Sequence, residues 1–340
     1  MPSRQVLELQ ADRIEMVLQA HKSPARVTGG VVTPRAVRFE LAPYPTTRVS
    51  RLQALAQDLA LALGAPDVAV SRHGQAVCLN IPRPDAQPIQ LLPLCQRLGK
   101  DVPPFTAVLG LADDGLPLLL HLPSPNVAHV LVAGCTGSGK TALAQTLILS
   151  LAMSHRRSQL ALVLIDPKGR AFKRLAALPQ LLWPVLIDPN DAADALDELV
   201  RLMESRDRAR ACLPRIVLVV DELADLIYVG GKSVADTLTR LTQRGREAGV
   251  HVLACTQKPS SALLGPLMKA NFPVRLVGKV TSAEDARVAA GVGGSDAHKL
   301  AGGGDFVAVA GGGIIRFQAA YIRPGEVERV VEVLERGGRQ

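Results

Sequence analysis

The stretch HVLVAGCTGSGKTALAQTLILSL, residues 129–151, limits the folds open to this chain more than any other segment. Its centre, GCTGSGKT at 134–141, matches the pattern G-x-x-x-x-G-K-[ST] in full. Glycines allow backbone N–H groups to curl around phosphate oxygens, and the N-terminal end of a helix adds partial positive charge. We therefore expect a β-strand to enter this loop and an α-helix to leave it, an α/β arrangement that holds phosphate.

Two side chains of this loop are predicted to have distinct roles in binding ATP. The ammonium of Lys140 reaches the β- and γ-phosphates, and the hydroxyl of Thr141 holds Mg²⁺. The residues predicted to bind ATP are Gly134, Cys135, Thr136, Gly137, Ser138, Gly139, Lys140 and Thr141.

A carboxylate at the end of a buried strand completes a site of this kind. The apolar run RIVLVV is followed by Asp221 and Glu222. We expect Asp221 to share the Mg²⁺ with Thr141, and Glu222 to polarise the attacking water. A third run, VHVLACT, ends at Gln257, which senses the γ-phosphate or positions the water if this strand neighbours the other two. Without the loop at 134–141, the Asp221–Glu222 pair and Gln257 would both be typical of ordinary polar residues at the ends of strands.

Short, β-rich apolar runs recur after residue 127, among them LALVLI, RIVLVV, VHVLAC and DFVAVA, and helical stretches separate many of them. Such runs fit strands buried on both faces, and their alternation with helices predicts a mostly parallel, doubly wound sheet. We place this α/β ATPase domain at 127–324. Residues 1–126 are expected to form a smaller α+β domain that ends in an apolar hairpin around ADDG, and 325–340 a C-terminal helix and tail.

The composition of the chain indicates its cellular environment and the kind of partner it binds. The formal net charge is +8, which favours a polyanionic partner, and aromatics at 3% leave few stacking platforms for single-stranded nucleic acid. The five cysteines show no metal-ligand spacing, which indicates a reducing compartment without disulfides or zinc. No apolar run approaches the roughly 20 residues that span a bilayer. We expect a cytoplasmic protein without membrane insertion.

Six ordered segments resemble a known family. They are HVLVAGCTGSGKT, LVLIDPKG, LVVDELADL, RLTQRGREAGVHVLACTQKPS, LMKANFPVRLVGKVTSAEDAR and HKLAGGGDF. Together they resemble the FtsK/SpoIIIE family of double-stranded DNA translocases, over about residues 27–322. The segments VTPRAVRFELAP, RVSRLQALAQDLALALG and LNIPRP are similar to the α subdomain of that family. The resemblance implies that a RecA-like P-loop NTPase domain follows it.

The resemblance also implies a function: a homo-hexameric ring that hydrolyses ATP and moves duplex DNA through its pore. Arg246 matches the arginine finger of the family, which acts in trans on the nucleotide of the neighbouring subunit. The residues alone favour a solvated helix end there. The positions expected to contact DNA are Lys258, Ser260, Lys269, Thr281 and Ser282. By themselves, these lysines are equally consistent with ordinary surface charges.

Departures from the family leave other functions open. We find neither the N-terminal membrane region nor the C-terminal winged helix of full-length members, and so expect a separate protein to load the motor or recognise DNA. The usual TQRP of the family is TQKP here, where lysine keeps the charge but loses the bidentate fork of arginine. The alternatives are an FtsK-like ATPase that moves a protein in a secretion system, a conjugation-type DNA pump, and a P-loop module that uses nucleotide only to assemble.

Overall fold

The computed structural model describes residues 3–33, 36–73, 76–84, 87–99, 102–257 and 270–338, with the backbone alone for 71–73. The chain divides into two compact units. The first consists of Met1–Pro88 and Asp113–Leu116, and the second of Ile89–Ala112 and Pro117–Gln340. Within the described ranges, no helix combines the length and the apolar character that crossing a membrane requires.

The first unit is a small α+β fold. Its elements are α1 (Arg4–Ala20), β1 (Ala25–Val32), β2 (Ala36–Pro43), α2 (Val49–Ala54), α3 (Ala56–Leu63), β3 (Ala69–His73) and β4 (Ala76–Pro82). The strands form an antiparallel sheet in the order β1-β2-β4-β3. Phe39, Leu52 and Leu59 lie in the buried core of this unit. Gly64 ends α3 in the left-handed conformation, with φ 65°, which glycine adopts without a Cβ clash.

The second unit contains the predicted strand-and-helix alternation. Its elements are β5 (Ile89–Gln90), α4 (Leu91–Leu98), β6 (Thr106–Ala112), β7 (Pro117–His121), β8 (Val130–Ala133), α5 (Lys140–Ser154), β9 (Leu160–Ile165), α6 (Pro189–Ala209), β10 (Arg215–Val220), α7 (Leu223–Arg244), β11 (Val250–Thr256), β12 (Val274–Gly278), α8 (Ala283–Ala290), β13 (Asp305–Ala310), β14 (Gly313–Tyr321) and α9 (Pro324–Gly338). The side chain of Asp188 caps α6, and Pro189 occupies its first turn, where proline is favoured.

One sheet runs through this unit, and the described residues place ten strands in it. Strands β9, β10, β11, β8 and β12 are consecutive and parallel, which confirms the predicted parallel core. Strands β13, β14, β6 and β7 continue the sheet antiparallel, and β5 pairs with β14. The sheet as a whole is therefore mixed, and the loop at 134–141 follows β8, a strand of the parallel part.

Both faces of the parallel core are covered, as the continuous apolar runs predict. Along β9, Leu160, Leu162 and Leu164 lie in the core that includes α5, while Ala161 and Val163 lie in the core that includes α6 and α7. This alternation follows from the two-residue period of a strand. The same alternation determines the face of the sheet to which a polar side chain just beyond a strand end projects.

Two domain boundaries differ from the expected ones. The first lies after Pro88 and not after 126, because the hairpin β6–β7 completes the sheet of the second unit. Gly110 has φ 154°, and a Cβ there would lie 2.0 Å from the carbonyl oxygen of Gln318, so β6 and β14 make a close approach. The second boundary disappears, since Val327 and Val331 of α9 are buried in the core that includes α5. The sequence of an apolar hairpin or helix shows its own periodicity, but it does not show which sheet or core that element joins.

Candidate nucleotide-binding site

The loop at 134–141 follows β8 directly and is anchored on both sides. The N–H of Gly134 donates to Thr256 O at 3.2 Å, and the N–H of Cys135 donates to Lys279 O at 2.7 Å. Strands β11 and β12, which flank β8, therefore hold the loop at the carboxyl edge of the parallel sheet. Nucleotide sites lie at this edge in open α/β sheets. The predicted strand–loop–helix context is confirmed.

A second glycine-rich loop, Gly302–Gly304, lies against the first. The N–H groups of Gly303 and Gly304 donate to Gly137 O at 3.0 Å and to Ser138 O at 2.9 Å. A Cβ on Gly139 would lie 2.9 Å from the nitrogen of Gly304, so the contact requires glycine there. No site role was predicted for residues 302–304. The signal was present in the segment HKLAGGGDF, which supported the resemblance but received no structural role.

Lys140 lies beneath its own loop. Its Nζ donates to Gly134 O at 2.6 Å and to Cys135 O at 3.2 Å, and the residue is buried. Burial lowers the pKa of this ammonium, while Cys255, Glu222, Cys135 and Asp221 act in the opposite direction. The cation is thus held by carbonyls and lies near carboxylates, where further negative charge from a phosphate would stabilise it.

The predicted magnesium ligands are adjacent. The hydroxyl of Thr141 donates to Asp221 Oδ1 at 3.1 Å, and Asp221 directly follows β10. Burial raises the pKa of Asp221; the bond from Thr141 lowers it, and the charge of Asp166 raises it. Asp166 follows β9 and is fully buried; the sequence analysis quoted it only within LVLIDPKG. Its carboxylate had no motif of its own that could have assigned it to the site.

Glu222 and Gln257 are joined by hydrogen bonds. Glu222 is 3% exposed, and its two carboxylate oxygens accept from the backbone N–H of Gln257 at 3.2 and 3.3 Å. The side-chain oxygen of Gln257 accepts from the hydroxyl of Thr136 at 3.0 Å. The assumed adjacency is also correct, because β11 pairs with both β10 and β8. Glu222 is therefore linked to the loop at 134–141 through Gln257.

The residues present fit a nucleotide with Mg²⁺. The hydroxyl of Ser138 is buried and has no hydrogen-bond partner among the described residues, although it lies in the centre of the loop. A phosphate oxygen would satisfy it, since buried hydroxyls are nearly always hydrogen-bonded. Thr141 and Asp221 offer the hard oxygen donors that Mg²⁺ prefers when phosphates supply its other ligands.

The structure does not bring Arg246 to this loop. Arg246 precedes β11, so it lies at the amino edge of the sheet, whereas the loop lies at the carboxyl edge. The seven residues of β11 separate the two edges by roughly 20 Å. Arg246 is paired with Glu247 and borders an open cleft of about 560 Å³ together with Arg244 and Asn271.

The expected DNA contacts fall into two groups. Lys258, Ser260 and Lys269 lie outside the described residues. Thr281 and Ser282 lie at the start of α8, where the hydroxyl of Thr281 donates to Asp285 Oδ2 at 2.5 Å. Ser282 caps the helix by accepting from the N–H of Asp285 at 3.0 Å. Both hydroxyls thus stabilise the first turn of α8, a role that the sequence analysis did not assign.

Solved structures share this fold. The cytoplasmic domain of the type VII secretion ATPase EccC of Thermomonospora curvata aligns with a TM-score of 0.63 and 25% identity, over 73% of this chain and 34% of that one. The pCW3 conjugation coupling protein TcpA, in its monomer form with ATPγS, aligns with a TM-score of 0.65 and 16% identity, over 96% and 99% of the two chains. These likenesses identify the architecture as that of P-loop ATPases.

Sequence comparisons are more specific. DNA translocase SpoIIIE of Bacillus subtilis is 32% identical over 355 residues, and DNA translocase FtsK of Sporosarcina ureae is 31% identical over 357 residues. The alignments cover 95% and 96% of this chain but 45% and 46% of those proteins, so the chain spans about half their length. The FtsK alpha domain profile matches residues 1–83, and the FtsK/SpoIIIE family profile matches 98–212 and 205–261. The chain belongs to the FtsK/SpoIIIE family.

Proposed function

We propose that this chain is an ATP-driven motor that moves duplex DNA through the pore of a homo-hexameric ring, with ATP hydrolysed between subunits. The observation that carries the proposal is the assembled site. Five residues meet at one edge of the sheet: Lys140, Thr141, Asp221, Glu222 and Gln257. Thr141 donates to Asp221, and Gln257 donates to Glu222. Lys140 lies close enough to Asp221 and Glu222 for their negative charge to act on it. The names of the relatives, DNA translocases, support DNA as the substrate.

In this proposal, each residue of the site acts on one part of the reaction. Lys140 and the loop amides bind the phosphates of ATP, and Glu222 accepts a proton as a water attacks the γ-phosphorus. The bond from that phosphorus to ADP breaks, which leaves ADP and phosphate. Mg²⁺, held by Thr141 and Asp221 when bound, neutralises charge on the phosphate oxygens. The burial of Glu222 excludes bulk water, which strengthens its interaction with the attacking water.

Gln257 offers a route from hydrolysis to movement. It contacts Thr136 in the phosphate-binding loop and Glu222, the proposed acceptor of a proton from the attacking water. The next residue in the chain is Lys258, the first of the predicted DNA contacts. Loss of the γ-phosphate would change the partners of Gln257, and the change would pass along the backbone to 258–269. We propose this connection as the coupling between ATP state and DNA contact.

Arg246 is proposed to act in trans. Because it lies at the edge of the sheet opposite its own loop, a neighbouring subunit must receive it for it to reach a nucleotide. A head-to-tail contact of this kind closes into a ring when the rotation between neighbouring subunits closes, as the proposed hexamer requires. The alternative for this residue is a surface ion pair with Glu247.

Mixing two inactive variants tests the trans arrangement. Arg246→Ala should lower ATP turnover about 10³-fold, since trans-acting arginines contribute on this scale. Lys140→Ala cannot bind ATP but still presents Arg246. If interfaces act independently, an equal mixture should recover about one quarter of wild-type activity, because a quarter of the interfaces join an intact loop to an intact arginine. Arg240→Ala, which breaks an exposed pair with Glu204, is the control. A mixture as inactive as its parts would contradict the trans role.

The response of the ATPase to DNA tests the function itself. We expect duplex DNA to stimulate turnover more than single-stranded DNA does, and the stimulation to weaken as salt rises, since backbone contacts release counterions. The net charge of +8 agrees with such a partner. A clear ATPase that ignores both DNAs and responds to a peptide would replace DNA with a protein substrate.

We also propose a cellular location and a further partner for this protein. A cytoplasmic location is consistent with the five free cysteines, all of which lie among the described residues. We propose that a separate protein loads the motor on DNA or directs it to a site, because phosphate contacts alone carry no sequence information.

A further inference from the structure

Asp166 combines full burial with an incomplete set of hydrogen bonds. One carboxylate oxygen, Oδ2, accepts from the N–H groups of Ala171 at 2.7 Å and Phe172 at 3.1 Å. The other, Oδ1, has no hydrogen-bond partner among the described residues, although Asp166 is 0% exposed. Burial of a carboxylate oxygen without a hydrogen-bond donor costs free energy. We therefore expect a donor or a cation to interact with this oxygen in the active protein.

The topology places this oxygen beside the proposed magnesium site. Strands β9 and β10 are parallel neighbours, with Ile165 opposite Val220, and the N–H of Asp221 donates to Ile165 O at 3.0 Å. Ile165 and Val220 both face the core that includes α7. The next residues, Asp166 and Asp221, therefore project to the opposite face, where α5 begins at the phosphate-binding loop.

The contacts of the two carboxylates agree with this placement. Asp221 accepts from Thr141 on α5, and Asp166 accepts from the amides of Ala171 and Phe172, whose side chains lie in the core that includes α5. The two acids are close enough for the charge of Asp166 to act on Asp221. Two buried carboxylates side by side repel each other, and a divalent cation with its waters removes that repulsion.

We propose that Asp166 is a positioning residue for magnesium: its free Oδ1 accepts a hydrogen bond from the hydration shell of the Mg²⁺ that Thr141 and Asp221 hold. The inference rests on the proposed ATP-binding function of the same site. Outer-shell acceptors of this kind orient the inner ligands and raise metal affinity about 10–100-fold. The role differs from that proposed for Glu222, which accepts a proton from the attacking water.

Asp166→Asn separates this role from a structural one. The amide oxygen can keep the two bonds from Ala171 and Phe172, while the NH₂ group replaces the free oxygen with a donor. The full chain is titrated with fluorescent ADP, first in EDTA and then at rising Mg²⁺. We expect unchanged affinity in EDTA and an Mg²⁺ midpoint about tenfold higher than wild type. Asp225→Asn, which removes a half-exposed carboxylate paired with Lys168, should leave the midpoint unchanged.

The outcomes are distinct. An Asp166→Asn protein with the wild-type Mg²⁺ midpoint overturns the proposal, and so does one that loses ADP binding equally in EDTA, which would show a purely structural role. If the wild type binds no ADP at all, the proposed function fails before this inference is reached. If thermal unfolding shows that Asp166→Asn does not fold, Asp166→Glu decides: displacement of the carboxylate by one methylene should raise the Mg²⁺ midpoint, and an unchanged midpoint overturns the proposal.

Discussion

Lys140→Ala is expected to abolish ATP binding and with it all hydrolysis. The ammonium is buried, and it donates to the carbonyl oxygens of Gly134 and Cys135. Each charge-assisted hydrogen bond that it would make to a phosphate contributes about 1.5–3 kcal/mol, so its loss should weaken binding by at least about 10²-fold. Nucleotide binding is measured by calorimetry, and turnover by phosphate release.

A second lysine provides the control for Lys140→Ala. Lys168 lies close enough to Glu222 and Asp221 to be affected by their charge, but its side chain is 48% exposed and pairs with Asp225 at 2.9 Å. Lys168→Ala should therefore bind ATP nearly as the wild type does. Normal ATP affinity in a folded Lys140→Ala protein would remove the loop from its assigned role.

Glu222→Gln should bind ATP but hydrolyse it about 10²–10⁴-fold more slowly, because the amide cannot take a proton from water. The amide oxygen can still accept from the N–H of Gln257, so the link between Gln257 and Thr136 should survive. Single-turnover phosphate release, with bound ATP measured in parallel, separates the chemical step from binding. Glu198→Gln, on an exposed carboxylate of α6 that pairs with Arg201, is the matched control.

The opposite outcome for Glu222 is equally clear. Substantial single-turnover hydrolysis by Glu222→Gln would show that another group accepts the proton. Loss of ATP binding would instead show that the carboxylate mainly supports the loop through Gln257. Either result would require a new assignment of the residues at the carboxyl edge of the sheet.

The centre of the site could be predicted because its residues form local patterns. The loop at 134–141 has a full motif, and Asp221 and Glu222 end a recognisable buried strand. The role predicted for Gln257 depended on an assumed strand adjacency, and the pairing of β11 with β8 and β10 confirms that adjacency. These predictions needed only short segments and one assumption about the sheet.

The parts that sequence analysis missed depend on contacts between distant segments. Gly303 and Gly304 contact the loop through backbone N–H groups, which every residue except proline has, so the glycines alone do not show which segment they contact. The β6–β7 hairpin has the same alternation whether it pairs within the first unit or with β14. The unsatisfied oxygen of Asp166 becomes visible only when its neighbours are in place. The DNA contacts Lys258, Ser260 and Lys269 stay predictions.

Displacement of a third DNA strand from a duplex is a direct test of translocation, because a motor that moves along duplex must remove a bound third strand in its path. Wild-type protein with ATP should release the strand, while Glu222→Gln, or wild type with a non-hydrolysable ATP analogue, should bind the duplex and release nothing. Release of the third strand only by hydrolysing protein would support an ATP-driven duplex translocase. A protein that hydrolyses ATP rapidly on duplex DNA but leaves the third strand in place would contradict it.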